Sequence, residues 1–343
     1  MTGVSGIWLQ FGLCAVLIGL AGYQLSRYGD AIAQRTGLSG SWIGMALLAT
    51  VTSLPELATG ITSVTIAHAP NVAVGNALGS CVLNLVFLVL IDFVFRQEPV
   101  WRRASQGHVL AAAFGVVMLG FTLVSMLMSQ IAPGGVAHLA SSLQAGFGLG
   151  TPVLLVLYMV AMRTVFSYER AHAVPVVDAL GVAIPPLRDT VTRFAVSAAV
   201  VVAAGLWLPF IAVELAARMG WSGSFVGSLF VAMVTTLPEL AVTLSALRMG
   251  AVDMAIGNLL GSNLFNVAIL AVDDLFYSPG SLLADVSMVH AVTAGSAIIM
   301  TGLAMIGLFF KPVSRVLRAV GWVSLGLVAM YMLNTYVLYL YGD

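Results

Sequence analysis

Charge is what this sequence has least of. Only 8% of its 343 residues are Asp, Glu, Lys or Arg, and the fourteen basic and fourteen acidic side chains cancel. With no basic tail or charge run, binding nucleic acid through its phosphates is excluded. Cysteine is nearly as scarce: Cys14 and Cys81 both lie in apolar stretches. They are too few for a disulfide framework or a thiolate metal site and read as small apolar fillers. The histidines His68, His108, His138, His172 and His290 share no metal-ligand spacing and fall near expected span ends or in loops, as interfacial residues. Hydrocarbon, by contrast, is abundant: 60% of the residues are hydrophobic and the mean hydropathy is +1.03. That excludes a soluble globular protein; the solvent for most of this chain is lipid.

About 20 apolar residues carry a helix across roughly 30 Å of hydrocarbon. Ten stretches qualify, with expected limits 5–25, 41–66, 71–95, 106–128, 149–167, 192–213, 222–247, 251–277, 286–309 and 317–340. Placed on alternate sides of these spans, every Lys and Arg except Arg218 falls on one face, which the positive-inside rule makes cytoplasmic. Both termini are then expected outside the cytoplasm, in a multi-pass protein of the cell (inner) membrane. No basic residue precedes the first apolar stretch, so it does not read as a cleavable signal. The longest cytoplasmic connection, 168–191, is expected to be a loop or short amphipathic segment. It divides the spans into units of five, 1–167 and 192–343.

The two units repeat. Thr52-Ser53-Leu54-Pro55-Glu56-Leu57-Ala58 in the second span is answered by Thr235-Thr236-Leu237-Pro238-Glu239-Leu240-Ala241 in the seventh. Gly75-Asn76-Ala77-Leu78-Gly79-Ser80, followed by Asn84, is answered by Gly257-Asn258-Leu259-Leu260-Gly261-Ser262, followed by Asn266. Because each unit holds an odd number of spans, the second enters the membrane from the opposite side. The expected fold is therefore all-α: ten transmembrane helices arranged as two five-helix inverted-topology repeats. A midplane site between such repeats can be opened to either side by rocking one bundle against the other.

The repeated residues say what that site would hold. A carboxylate at a helix centre costs roughly 2.5 to 3.5 kcal/mol even on lenient insertion scales, and no Lys or Arg lies near the centre of either span to pair with Glu56 or Glu239. Their expected partner is a transported cation. Ala49, Thr52 and Ser53 share a helix face with Glu56, as Ala232, Thr235 and Thr236 do with Glu239. Pro55 and Pro238 cannot donate to the preceding turn and so free backbone carbonyls beside each glutamate. Asn76, Ser80 and Asn84 form a polar stripe, matched by Asn258, Ser262 and Asn266, while the intervening glycines allow close helix approach. Such an all-oxygen set suits Ca²⁺, which takes six to eight oxygens, and Na⁺ of similar size, better than Mg²⁺. The motifs contain no His or Cys, which argues against zinc, copper or nickel. A site filled by one divalent or by several monovalent ions, but not by both, makes an exchanger.

These motifs resemble the two alpha repeats of the sodium/calcium exchangers, in the cation/calcium antiporter superfamily, over essentially the whole chain and in the manner of a prokaryotic-type member. The resemblance implies Ca²⁺ and Na⁺ as transported substrates, the lipid bilayer as surroundings and no cofactor. It implies Glu56 and Glu239 as central Ca²⁺ ligands assisted by the carbonyls of Ala49 and Ala232. It further implies Thr52, Ser53, Ser80, Thr235, Thr236 and Ser262 at flanking Na⁺ sites, with Asn84 and Asn266 at the centre. Several prokaryotic relatives carry an acidic residue at one of these two central positions. Both are Asn here, leaving two obvious carboxylates. The Gly-Asn-x-x-Glu pattern of proton/calcium exchangers is absent, with Gly79 and Gly261 at that Glu position, which favours sodium as counter-ion. An H⁺/Ca²⁺ or other divalent-cation antiporter is the alternative, and a cation channel stands behind it.

An enzyme is disfavoured, since the chain has no aspartate dyad, Ser/His pair or Asp-rich diphosphate motif. Asp92, four residues before Arg96, is expected in an interfacial ion pair. Asp273, Asp274, Asp285 and Glu214 are expected at or near the outer face as solvated charge, with concentration of cations at the mouth as the alternative.

Overall fold

A computed structural model of the chain describes residues 4–35, 48–94, 101, 104–105, 107–131, 148, 150–171, 187–248, 250–312 and 321–342. All regular elements among these are helical. Besides a single turn at Leu282–Asp285, they are α1 (Val4–Arg35), α2 (Leu54–Thr65), α3 (Pro70–Val94), α4 (Gly107–Ile131), α5 (Gly150–Ala171) and α6 (Leu187–Met219), followed by α7 (Gly223–Thr235), α8 (Leu237–Arg248), α9 (Val252–Phe276), α10 (Val289–Phe310) and α11 (Trp322–Tyr341). Eight are single helices long and apolar enough to cross a membrane, and α7 with α8, bent by 43°, passes the same test as a pair, for up to nine spans among the described residues against the ten expected. The chain is thus an integral multi-pass membrane protein. The expected second span is described only from residue 48 onward, and most of the expected linker, 172–186, with His172 and also His138, lies outside the described residues. The helices flanking that linker run further than expected, α5 to Ala171 and α6 from Leu187.

The helices form layers whose burial follows from sequence. α3 and α9 are apolar all round except for their Asn/Ser stripes, and they are the most completely buried spans. A helix hydrophobic on every side has no face to offer water or lipid preferentially and goes to the centre of a bundle. The two cross at equivalent points: Asn263 donates to the Cys81 carbonyl (3.1 Å), and the Cys81 thiol approaches the Asn263 carbonyl (3.7 Å). Residues 81 and 263 are 182 apart, the repeat offset, so each repeat touches its own copy, as at a two-fold axis. Both cysteines are free and buried.

α1 and α6 pack along each other and lie across α2 and α8. At 32 and 33 residues they extend about 50 Å at 1.5 Å per residue, with polar ends at 26–35 and 187–193. Where they pass the motif helices the sequence supplies glycine. A Cβ on Gly22 would lie 2.7 Å from the Pro238 Cβ, and one on Gly205 would lie 3.0 Å from the Ala58 Cβ and 3.2 Å from the Pro55 carbonyl oxygen. These glycines are 183 residues apart, and each rests on the other repeat's proline motif.

The repeats are also tied at their ends. Asp92 is buried and accepts from Gly321 N (2.9 Å) and Ser324 Oγ (2.7 Å), at the start of α11. Arg96, its expected partner, lies outside the described residues. Its counterpart Asp274 accepts from Gly148 N (2.7 Å), Thr151 Oγ1 and Leu282 N (2.5 Å), holding the start of α5. Each carboxylate thus caps the last helix of the opposite repeat, satisfying amide N–H groups that helix geometry leaves open. A second pair of ties follows the same rule. Ser105 N donates to Asp253 Oδ1 (2.7 Å) and Ser287 N to Asn71 Oδ1 (2.8 Å), again equivalent positions from opposite repeats.

Several expectations change here. Asp273 and Asp274 are 0% and 2% exposed, so neither is solvated surface charge; Asp274 faces helix N-termini rather than water. Asp285 is exposed as expected, and Glu214 pairs with Arg218 at 3.2 Å. His68 is exposed, but His108 and His290 are buried, and His108 Nε2 lies 3.0 Å from Asp253 Oδ1. These two histidines sit at repeat-equivalent positions at the entry of α4 and α10, at span ends as expected but with their rings buried.

Candidate cation-binding site

Both proline motifs break their helix at the same place. Ser53 (φ −88°, ψ 12°) and Thr236 (φ −82°, ψ 4°) leave helical geometry, and α2 and α8 restart immediately afterwards at Leu-Pro-Glu. Proline suits a first helical turn because its missing N–H has no intrahelical acceptor there. Each break therefore carries a glutamate into the first turn of the new helix, where the exposed amide dipoles favour negative charge.

Glu56 and Glu239 are fully buried. Each has one carboxylate oxygen engaged and the other, Oε2, without a hydrogen-bond partner. Glu239 Oε1 accepts from Ser53 Oγ of the opposite repeat (2.9 Å), and Glu56 Oε1 lies 3.5 Å from Ser80 Oγ. Asn76 and Asn258 play matching parts, their Nδ2 atoms each 3.4 Å from the backbone carbonyl of Glu56 and Glu239 respectively. Asn76 Oδ1 also accepts from Thr235 Oγ1 (2.9 Å), and Thr52 Oγ1 lies 3.5 Å from Ser262 Oγ. The two motifs are therefore interlocked, since hydroxyls of each repeat reach side chains of the other.

Other expected residues converge less directly. Thr236 Oγ1 turns back onto its own helix, donating to Ala232 O (2.7 Å), which also accepts from Thr236 N (3.0 Å) and Thr235 Oγ1 (3.2 Å). Ala49 O accepts from Ser53 N (3.1 Å) and Thr52 Oγ1 (3.3 Å). Both carbonyls thus face threonine hydroxyls in this arrangement. Asn84 donates to Asn263 Oδ1 (3.0 Å) and leaves its own Oδ1 open, while neither polar atom of the Asn266 side chain has a partner. Asn263 was not among the expected site residues. Its signal was the break in repeat symmetry at that position, Asn facing Cys81, inside a motif otherwise matched.

The electrostatics are one-sided. No Lys or Arg occurs anywhere between Arg35 and Arg96 or between Arg218 and Arg248, so two carboxylates stand in a hydroxyl- and amide-lined interior without a protein cation. Among the described residues no three His, Cys, Asp or Glu side chains converge, so the oxygens at the breaks come chiefly from two carboxylates, hydroxyls, amides and carbonyls. Gly75 and Gly79 complete the geometry. A Cβ on Gly79 would lie 2.6 Å from the Ser228 Cα, and one on Gly75 3.0 Å from Ser228 N, so α3 presses its polar stripe against the backbone of α7. At that contact α7 widens into a π-helical turn, Val226–Val231, a distortion that redirects side chains one position on and recurs at functional sites.

The profile of the sodium/calcium exchanger protein family matches residues 6–166 and 190–340, nearly the whole chain. The chain belongs to the sodium/calcium exchanger family. Two relatives illustrate the spread within reach of this exchanger-family chain. CaxA of Alkalimonas amylolytica is 28% identical over 258 residues, covering 73% of this chain and 74% of the relative. The sodium/calcium exchanger MaX1 of Methanosarcina acetivorans is 37% identical over 91 residues, 26% of each chain. The solved structure of the sodium-calcium exchanger NCX_Mj superposes with a TM-score of 0.62 at 22% identity, covering 97% of this chain and 99% of that one. At that identity the likeness is one of fold.

Proposed function

We propose that this exchanger-family member moves Ca²⁺ against Na⁺ by alternating access, with the ions bound near the midplane between repeats 1–167 and 192–343. The observation that carries the reading is the pair of buried glutamates, each with one oxygen open, at matching breaks of opposite repeats and without a protein cation. Two charges of −1 balance one Ca²⁺, and bidentate engagement of both would supply four of the six to eight oxygens it takes. The hydroxyls of Thr52, Ser53, Ser80, Thr235, Thr236 and Ser262, the carbonyls of Ala49 and Ala232, and the amides of Asn84 and Asn266 provide the remaining ligands for Ca²⁺ or, in its absence, for Na⁺. Because the same glutamates serve both ions, occupancy by one excludes the other, and that competition couples the two gradients.

The interlocked contacts suggest how access changes. Ser53 with Glu239, and Thr235 with Asn76, join opposite repeats, so displacing a helix that packs on either proline break makes or breaks ligands on both sides of the ion at once. Orientation follows the distribution of basic residues, with both termini outside the cytoplasm.

The decisive experiment is ⁴⁵Ca²⁺ uptake into proteoliposomes loaded in turn with Na⁺, K⁺ or acidic buffer at fixed membrane potential. Uptake driven only by outward Na⁺ is expected. Uptake driven by the pH gradient would make the glutamates alternate between Ca²⁺ and protons and would replace sodium as counter-ion, while gradient-independent leak would mark a channel.

A further inference from the structure

A carboxylate that neither motif contains packs against α2 one turn beyond Glu56. Asp273, in the last turn of α9, is fully buried, and neither of its oxygens has a hydrogen-bond partner among the described residues. It follows Asn266 by seven residues, two turns along the same face. Its carboxylate rests on Gly60 of α2: a Cβ placed on that glycine would lie 2.7 Å from the Asp273 Cγ and overlap both oxygens. Gly60 in turn follows Glu56 by one turn on one face, about 6 Å along the helix axis.

Among the described residues no cationic side chain pairs with it. Arg218 is held by Glu214, no other Lys or Arg is expected on that side of the membrane, and segment 132–147 contains none. Asp274, next in sequence, is committed to the amides that start α5 and to Leu282 N. Three residues beyond Gly60, the buried Ser63 hydroxyl also lacks a partner.

The feature is absent from the other half of the molecule. At the repeat-equivalent positions stand Ile91 for Asp273 and Thr243 for Gly60, both buried. Packing alone is met there by an aliphatic side chain and a residue with a Cβ. In the second repeat a glycine clears the space and a carboxylate enters it. A lone carboxylate in hydrocarbon without a counter-charge costs several kcal/mol, so an ion that neutralises it supplies what the protein does not.

We infer that Asp273 and the Gly60 turn form an outer subsite for one Na⁺-sized monovalent cation, beside the glutamate site and on one side of it only. The charge decides the class: two glutamates balance a divalent ion, whereas one aspartate balances a single monovalent one. This inference rests on the proposed glutamate site and places a separate carboxylate outside it, at a position distinct from the two central asparagines.

Equilibrium ²²Na⁺ binding to the purified, detergent-solubilised protein tests it. E56Q/E239Q is expected to retain about one Asp273-dependent Na⁺ per chain, lost on adding D273N. D273N alone is expected to raise the Na⁺ concentration for half-maximal exchange at least about threefold with half-saturation by Ca²⁺ unchanged. Identical ²²Na⁺ binding with and without D273N overturns the subsite whatever the glutamate variants do. Retained exchange in E56Q/E239Q overturns the glutamate site separately. Should D273N not purify as a single species, G60A keeps the charge but fills the space. It is expected to weaken ²²Na⁺ binding in the same way, and unaltered binding in G60A counts against the subsite.

Discussion

Glu56 and Glu239 are equivalent in sequence, yet their surroundings differ in one respect that carries a prediction. Glu239 Oε1 has a firm donor in Ser53 from the opposite repeat, whereas Glu56 Oε1 has only the 3.5 Å approach of Ser80. Replacing either glutamate by Gln leaves a single carboxylate facing a divalent ion while removing an unpaired buried charge. E56Q and E239Q are therefore expected to lower ⁴⁵Ca²⁺ uptake at least about tenfold and to leave the melting temperature in detergent unchanged or higher. Wild-type-like flux from both would sink the assignment. S53A removes a hydrogen bond to a charged group, a contact of about 1.5 to 3 kcal/mol, and is expected to weaken half-saturation by Ca²⁺ about tenfold; unchanged Ca²⁺ dependence would make Ser53 a bystander. The glutamates were legible because a carboxylate at membrane depth, with no Lys or Arg near, calls for a partner. Asp273 and Asp274 were not, because nearness to a span end looks the same in sequence whether the residue meets water or a helix terminus. The pairs that decide it, Gly148 with Thr151 and Gly321 with Ser324, recur at an offset of 173 rather than 182, so a search at the motif offset passes over them.

At the scale of helices, packing depends on glycines that the motifs do not contain. Gly22 and Gly205 let α1 and α6 cross the proline breaks, and the first has the closer neighbour. G22A must move Pro238 or bend α1, and overpacking of this kind costs typically about 1 to 3 kcal/mol. Gly12, on the same helix, has nothing within 4 Å of a built Cβ, so G12A is expected to be neutral or to stabilise by up to about 1 kcal/mol through helix propensity alone. Thermal melting of the two variants side by side checks this; equal melting temperatures would mean that the α1 crossing is not tightly packed. The spans themselves were legible from hydropathy, and the breaks from Pro55 and Pro238. The π-helical turn of α7 was not. It answers to the backbone of α3 approaching through Gly75 and Gly79, a tertiary demand with no local signature in Val226–Val231. The Ser-x-x-His pairs entering α4 and α10 repeat at the motif offset and were visible in principle, but only the partners Asp253 and Asn71 give them meaning.

The whole molecule is held together by exchange between its halves. Asp92 secures α11 and Asp274 secures α5, each across the pseudo-two-fold relation, while α3 and α9 meet at Cys81 and Asn263 on its axis. Contacts at the axis and at the helix ends tie the central bundle of each repeat to the other, so the proposed alternating access is assigned to helices outside them. The long pair α1 and α6 is the remaining candidate, because glycine-lined crossings let it slide over α8 and α2. A Cβ on Gly19 would lie 3.9 Å from the Leu237 Cβ, close to the separation of about 3.8 Å that a disulfide spans. G19C/L237C, in a background lacking Cys14 and Cys81, is therefore expected to form a cross-link on oxidation and to pin α1 to the start of α8. If transport requires α1 to move relative to the second proline break, ⁴⁵Ca²⁺ exchange should fall at least about tenfold on oxidation and return on reduction, while each single cysteine variant stays active under both conditions. Full exchange by the quantitatively cross-linked protein would show that α1 and α8 travel together, and the moving boundary would then have to lie between α6 and α2.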